Sequence, residues 1–192
     1  QRSSHQHRRQ MPVASDQQLL SQVRAGNSRA FTEIHDKYRR RLLAYCHCLL
    51  QDRVIAEDVV QIAFQKAYES LATLDNPDLF FYWLFSIARN EVYGHIRKTR
   101  KNGTPRSIEE EDDIWTEETP HEQLVRKETT EIVELFLNRL KVEYREGLVL
   151  RQYDKLSYAE IAAITGDTVS SVESRLFKAR KALAKKLAPY FL

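Results

Sequence analysis

The chain has 192 residues, 42% of them hydrophobic and 30% charged, enough for one core or two small ones. A formal net charge of +3 excludes whole-surface attraction to an acidic partner and leaves that role to local patches. Two cysteines cannot build a secreted disulfide framework, the longest apolar run is too short to span a bilayer, and no segment reads as a secretory leader, so a cytoplasmic chain without membrane insertion is expected.

Only 5 Gly and 5 Pro, with long stretches free of both, predict an all-α fold. Residues 1–15 are set apart as a disordered extension or expression remnant, because Gln1 to Gln10 precede Met11. Phe31, Ile34, Tyr38, Leu42, Tyr45 and Leu49 recur at steps of three and four, which lays an apolar stripe on a helix ending near Asp52. Val60, Phe64, Ala67 and Leu71 repeat the pattern. After Asn76-Pro77-Asp78, a third helix carries Phe80, Leu84, Ile87 and Ala88, with Asp78 as its expected N-cap. These stripes predict a helical bundle over 16–101.

Charge marks its end. Arg97, Lys98, Arg100, Lys101 and Arg106 crowd a stretch containing the helix breakers Gly103 and Pro105. Glu109, Glu110, Glu111, Asp112, Asp113, Glu117, Glu118 and Glu122 follow without a cation. Such a block repels itself and has little to bury, so 102–121 is expected to be an extended acidic linker. Helical periodicity resumes at Leu124 in a second unit, 122–192.

In that unit Ser157 and Glu160 form an S-x-x-E capping box that starts a helix running to about Ile164, and Gly166 supplies a turn. Val169, Val172, Leu176, Ala179 and Leu183 give the next helix a buried seam and leave Ser170, Ser171, Ser174, Arg175 and Lys178 on other faces. Small hydroxyls followed by cations suit close approach to a major groove and its phosphates. An ordinary αα-hairpin with a solvated charged face is the competing reading.

The stretch "LSYAEIAAITGDTVSSVESRLFKARKAL" resembles the C-terminal promoter-reading domain of extracytoplasmic-function (ECF) sigma factors of the sigma-70 family. "AEDVVQIAFQKAYESL" and "FFYWLFSIARNEVYGHIRKTRK" resemble their N-terminal domain, in the right order and separated by a linker. The resemblance implies a transcription initiation factor without catalytic residues or cofactor. Its implied partners are core RNA polymerase, through the β′ clamp and β subunits, promoter DNA, and an anti-sigma factor.

By resemblance, Glu57, Asp58, Gln61 and Gln65 form the polymerase-docking face. Carboxylates and amides on one helix face suit basic residues of a partner helix. The unpaired −10 strand falls to Asn76, Phe80, Tyr82, Trp83, Asn90, Tyr93, His95, Arg97, Lys98 and Arg100, which offer rings for stacking, amides for base edges and cations for phosphate. Only two or three of the rings are expected to reach DNA, since aromatics at helical spacing more often pack in a core. The −35 duplex falls to Ser157, Thr168, Ser170, Ser171, Glu173, Ser174, Arg175, Lys178 and Arg180. Glu173 stands where a cation is frequent in the family; it can accept from cytosine N4 or repel phosphate. The linker is expected in the polymerase RNA-exit path.

Three other classes fit the residues less well. Cys46-His47-Cys48 is the only local candidate for metal or thiol chemistry, and successive helix positions diverge too far to close on one ion. A stand-alone helix-turn-helix regulator leaves the N-terminal unit unexplained. A protein-only adaptor leaves the cationic helix without a use.

Overall fold

The computed structural model describes residues 15–102 and 129–191. Apart from Ser15 and Asn102, the expected N-terminal extension and acidic linker lie outside the described residues, as does the resumption of periodicity at Leu124. Every regular element described is helical. The N-terminal unit holds α1 (Asp16–Arg24), α2 (Ser28–Leu50), α3 (Arg53–Glu69) and α4 (Phe80–Asn102). The C-terminal unit holds α5 (Thr129–Arg139), α6 (Val142–Gln152), α7 (Tyr158–Thr165) and α8 (Val169–Phe191).

Local chemistry sets the helix ends. Ser15 and Gln18 cap α1 reciprocally, and Asn27 accepts the Arg29 N–H at the start of α2. Helix α2 stops at Leu50 because Gln51 turns left-handed, at φ 58°, which frees Asp52 to cap α3 through the Ile55 N–H. Asp78 is not the cap of α4. Asn76 Oδ1 accepts the Asp78 N–H at 2.9 Å and Pro77 opens a 3-10 turn, so the chain is already helical at Asp78 and α4 continues from Phe80.

The predicted stripes pack together. Ile34, Leu42 and Tyr45 of α2, Val60 and Phe64 of α3, and Phe80, Leu84 and Ala88 of α4 are all buried. In the second unit Ile161, Ile164, Val172, Leu176 and Ala179 close the helix-turn-helix, and α6 approaches α8 at Gly147, where an added Cβ would lie 3.2 Å from Leu176 Cδ2. Val169 departs from the expected seam. It is the first residue of α8 and 47% exposed, because the seam begins one turn later at Val172.

The two units share one continuous core. Helix α6 seats against α2, and α7 against α4. This juxtaposition was not legible in the helical periodicity, which reports each helix's buried face but not its partner.

Gly166 ends α7 in the left-handed region, at φ +74°, where its N–H donates to the Ala162 carbonyl, a cap that favours glycine. Gly166→Ala is expected to destabilise the protein by about 1–2 kcal/mol from left-handed strain, read as a lower urea midpoint, with no change in the helicity of the folded state.

Candidate nucleic-acid interface

Glu57, Asp58, Gln61 and Gln65 are all exposed along the outer face of α3. Their internal bonds are weak surface contacts: Arg53 Nε to Glu57 at 3.2 Å and Gln65 Nε2 to Glu69 at 2.8 Å. Val54 and Ile62 lie among them, 70% and 40% exposed, giving this polar row an apolar component that the sequence reading missed. Both stand off the buried stripe of Ala56, Val60, Ala63 and Ala67, so the helical period places them on the exposed side.

Helix α4 divides the candidate strand-binding residues. Phe80 has no exposed surface and packs against Tyr38 and Trp83, at ring-centroid distances of 5.7 and 5.9 Å. Its assignment to the −10 strand is therefore corrected: the ring is core, and no base can reach it in this fold. Trp83 and His95 are half-buried. Asn76, Asn90, Arg97, Lys98 and Arg100 are exposed, the three cations on the last turns of α4. Tyr82 and Tyr93 face the C-terminal unit, where their hydroxyls donate to Glu160 and to Glu146 Oε2, the latter at 2.8 Å.

In the helix-turn-helix, Ser157 is spent on the capping box. Its Oγ accepts the Glu160 N–H, and its own N–H donates to Glu160 Oε2 at 2.7 Å. The Tyr82 hydroxyl and then the Ser157 bonds hold the Glu160 carboxyl below its ordinary range. Thr168 caps α8 through the Ser171 N–H at 3.2 Å. Ser170, Glu173, Ser174, Lys178 and Arg180 are exposed on α8, whereas Arg175 pairs with Asp167 at 2.8 Å and is half-buried. Phe177, 66% exposed, is an apolar side chain among these polar residues.

The bonds between the units went unread in the sequence. Glu146 of α6 has no exposed surface. Its Oε1 accepts from Tyr45 Oη at 2.6 Å and Arg89 Nε at 2.9 Å, and its Oε2 from Tyr93. Arg41 reaches the Asp154 carboxylate and donates to its carbonyl at 3.1 Å, with its guanidinium 4.2 Å from the Phe81 ring centroid. One signal was available: Leu148-Val149-Leu150 is an uninterrupted apolar run in a short helix, which points to burial on more than a single stripe. Cys46 is another core residue, its thiol pushed up to about 12 by burial. Among the described residues no group of His, Cys, Asp and Glu side chains is arranged to hold a metal ion.

A family model for Sigma-70 region 2 matches residues 34–102, and one for Sigma-70 region 4 matches 130–183. The RNA polymerase sigma-H factor of Pseudomonas aeruginosa is 32% identical over 91% of this chain and 94% of its own length. The ECF RNA polymerase sigma factor SigW of Bacillus subtilis is 30% identical over 88% of this chain and 94% of its own length. The chain belongs to the ECF sigma factors. As such it is a transcription initiation factor that directs RNA polymerase to promoters, and its family is not one of enzymes.

Among solved structures, the sigma factor resembles CnrH in complex with the cytosolic domain of CnrY, with a TM-score of 0.67 and 26% identity over 91% of this chain and 97% of that one. It also resembles RpoE of Bartonella quintana in complex with the anti-sigma factor NepR, with a TM-score of 0.64 and 25% identity over 82% and 96%. Among the described residues of the sigma factor, no helix is long and apolar enough to cross a membrane.

The Asp167–Arg175 pair fixes the turn against α8. Burial alone raises the Asp167 carboxyl, but the hydrogen bond from Arg175 and the charges of Arg175 and Arg89 outweigh it and leave the carboxyl below its ordinary value. Its contribution to stability is therefore fully present above the unfolded value of about 4 and is lost as pH falls through the lower folded value. Urea midpoints measured from pH 6 downward should fall less steeply below about pH 4 in Asp167→Asn than in the parent; parallel profiles would contradict the pairing.

Proposed function

We propose that this sigma factor docks on core polymerase through the outer face of α3, reads the −35 duplex with α8, and holds the unpaired −10 strand on α4. The order of the two family matches in one chain, region 2 and then region 4, supports the division of labour. Glu57, Asp58, Gln61 and Gln65 form the clamp-facing row, with Val54 and Ile62 supplying apolar contact.

On α4, Tyr82, Trp83 and Tyr93 stack on bases, Asn76, Asn90 and His95 bond base edges, and Arg97, Lys98 and Arg100 neutralise phosphate. On α7 and α8, Ser157 and Thr168 approach the backbone at the helix starts, where unpaired N–H groups favour anions. Ser170, Ser171, Glu173 and Ser174 then face base edges, and Lys178 and Arg180 meet phosphate. Arg175, tied to Asp167, reaches a base only by exchanging that partner. An anti-sigma factor is a further partner, a reading supported by the likeness to RpoE bound to NepR. The units take the bounds 16–101 and 122–192, and the protein works in the cytoplasm, where polymerase is.

Asp58→Ala with Gln61→Ala is expected to weaken binding to core polymerase on the order of tenfold, about 1.4 kcal/mol, without altering helicity. Unchanged core affinity would remove α3 from the interface. For α8, Lys178→Ala should weaken promoter binding evenly across sequences and make its salt dependence shallower by about one charge, measured with the polymerase complex. A sequence-selective loss would instead give Lys178 a base to read.

A further inference from the structure

Among the described residues two non-glycine positions hold a positive φ, Gln51 and Lys155, each at 58°. A side chain there strains the backbone where glycine would not. At Gln51 the strain has a use within the molecule, because it ends α2 and lets the side-chain Nε2 donate to the Asn138 carbonyl at 2.7 Å. Lys155 has no such use. Its side chain is exposed, and no hydrogen bond or ion pair with a described residue engages it.

The turn that carries Lys155 is held firmly. Leu156 is buried, its N–H donates to the Leu150 carbonyl at 3.2 Å, and its own carbonyl accepts from Arg151 Nη1 at 2.7 Å. Both bonds lie within the C-terminal unit, so the left-handed turn does not depend on the other one. A strained residue persists only where its surroundings over-determine it, and such residues cluster at binding sites.

The neighbours of Lys155 identify the ligand. It stands two residues before Ser157, the N-cap of α7, which is the first helix of the helix-turn-helix. Tyr158, the first residue of α7, accepts from Arg180 Nη1 of α8 at 3.3 Å, so a cation of the second helix lies at the start of the first. The carboxylates of the same segment are engaged elsewhere: Asp154 by Arg41, and Glu160 by the Ser157 N–H and the Tyr82 hydroxyl. Neither is bonded to Lys155. Two cations and the positive end of a helix dipole therefore meet at one edge of the helix pair, an arrangement that suits a phosphate.

We propose that Lys155 and Arg180 form a seat for a backbone phosphate of the −35 duplex at the amino end of α7, with the left-handed turn projecting the lysine ammonium toward the strand. The proposal rests on the reading of α8 given above, since a second helix in the major groove lays the first helix of the pair across the backbone. The seat fixes the register of the unit on the duplex and carries no sequence information. Stability and DNA affinity then make opposite demands on position 155: glycine relieves the strain and removes the charge.

The test measures binding of promoter and random duplex by the full chain assembled with core RNA polymerase, over a series of salt concentrations, and urea midpoints of the free chain. Lys155→Gly is expected to raise the urea midpoint. It should also weaken binding of both duplexes on the order of tenfold at low salt and make the salt dependence shallower by about one charge. Lys155→Ala keeps the strain, so it should show the same loss of binding without the gain in stability, and Lys155→Arg should keep the parent's affinity and salt dependence. Parental affinity and salt dependence in Lys155→Gly would overturn the seat, as would a loss confined to one −35 sequence. Lys178→Ala separates the two possible failures. A loss there with none at Lys155 removes the seat and leaves α8 in the groove, whereas parental binding by both variants removes the reading of α8 and the seat together.

Discussion

Placing the Glu146 carboxylate where no water reaches it constrains everything around it. A bare buried charge is prohibitive, so a guanidinium and two phenol hydroxyls must converge on it, which fixes α6 against both α2 and α4. Arg89 in turn lies 4.4 Å from the Tyr93 ring, so the cation is held by the same residue that completes the carboxylate's partners. Apolar packing between the units is non-directional and would allow sliding; this cluster gives the interface one register.

Helices α3 and α8 each bury one face and offer another. Along α3 the buried row Ala56, Val60, Ala63, Ala67 holds the bundle, while the opposite row remains polar, interrupted by Val54 and Ile62. On α8 the seam Val172, Leu176, Ala179 leaves Ser170, Ser174, Phe177 and Lys178 outward. Both faces are laid out by the 3.6-residue period alone, and both are therefore available without any change within the helix. The face of α4 differs, because Tyr82, Arg89 and Tyr93 are bonded to the C-terminal unit.

That difference marks the limit of what the sequence discloses. The stripes of α2, α3 and α4, the Ser157–Glu160 capping box and the Gly166 turn are local signals, and the structure carries each of them. Phe80 was misassigned because one period cannot distinguish a ring pointing into the core from a neighbour pointing out, and Asp78 because Asn76-Pro77 starts the helical turn two residues earlier. Glu146, Arg89 and Arg145 read as ordinary surface charges until α6 is seen seated against α2 and α8. Their roles depend on contacts across 53 or more positions in the chain for every bond to Glu146, which no local pattern encodes.

On the proposed division of labour, two small reading surfaces, one for duplex and one for single strand, have little selectivity apiece. Held at a set spacing by polymerase, the second contact becomes intramolecular and the affinities combine. The most direct measurement compares promoter duplex, random duplex and a promoter fork with an unpaired −10 non-template strand, each bound by the chain alone and by its complex with core polymerase. The account predicts weak and nearly equal binding of all three by the chain alone, and sharp preference for the fork and the promoter duplex in the complex. Equally sharp selection of the closed promoter duplex by the chain alone would contradict it.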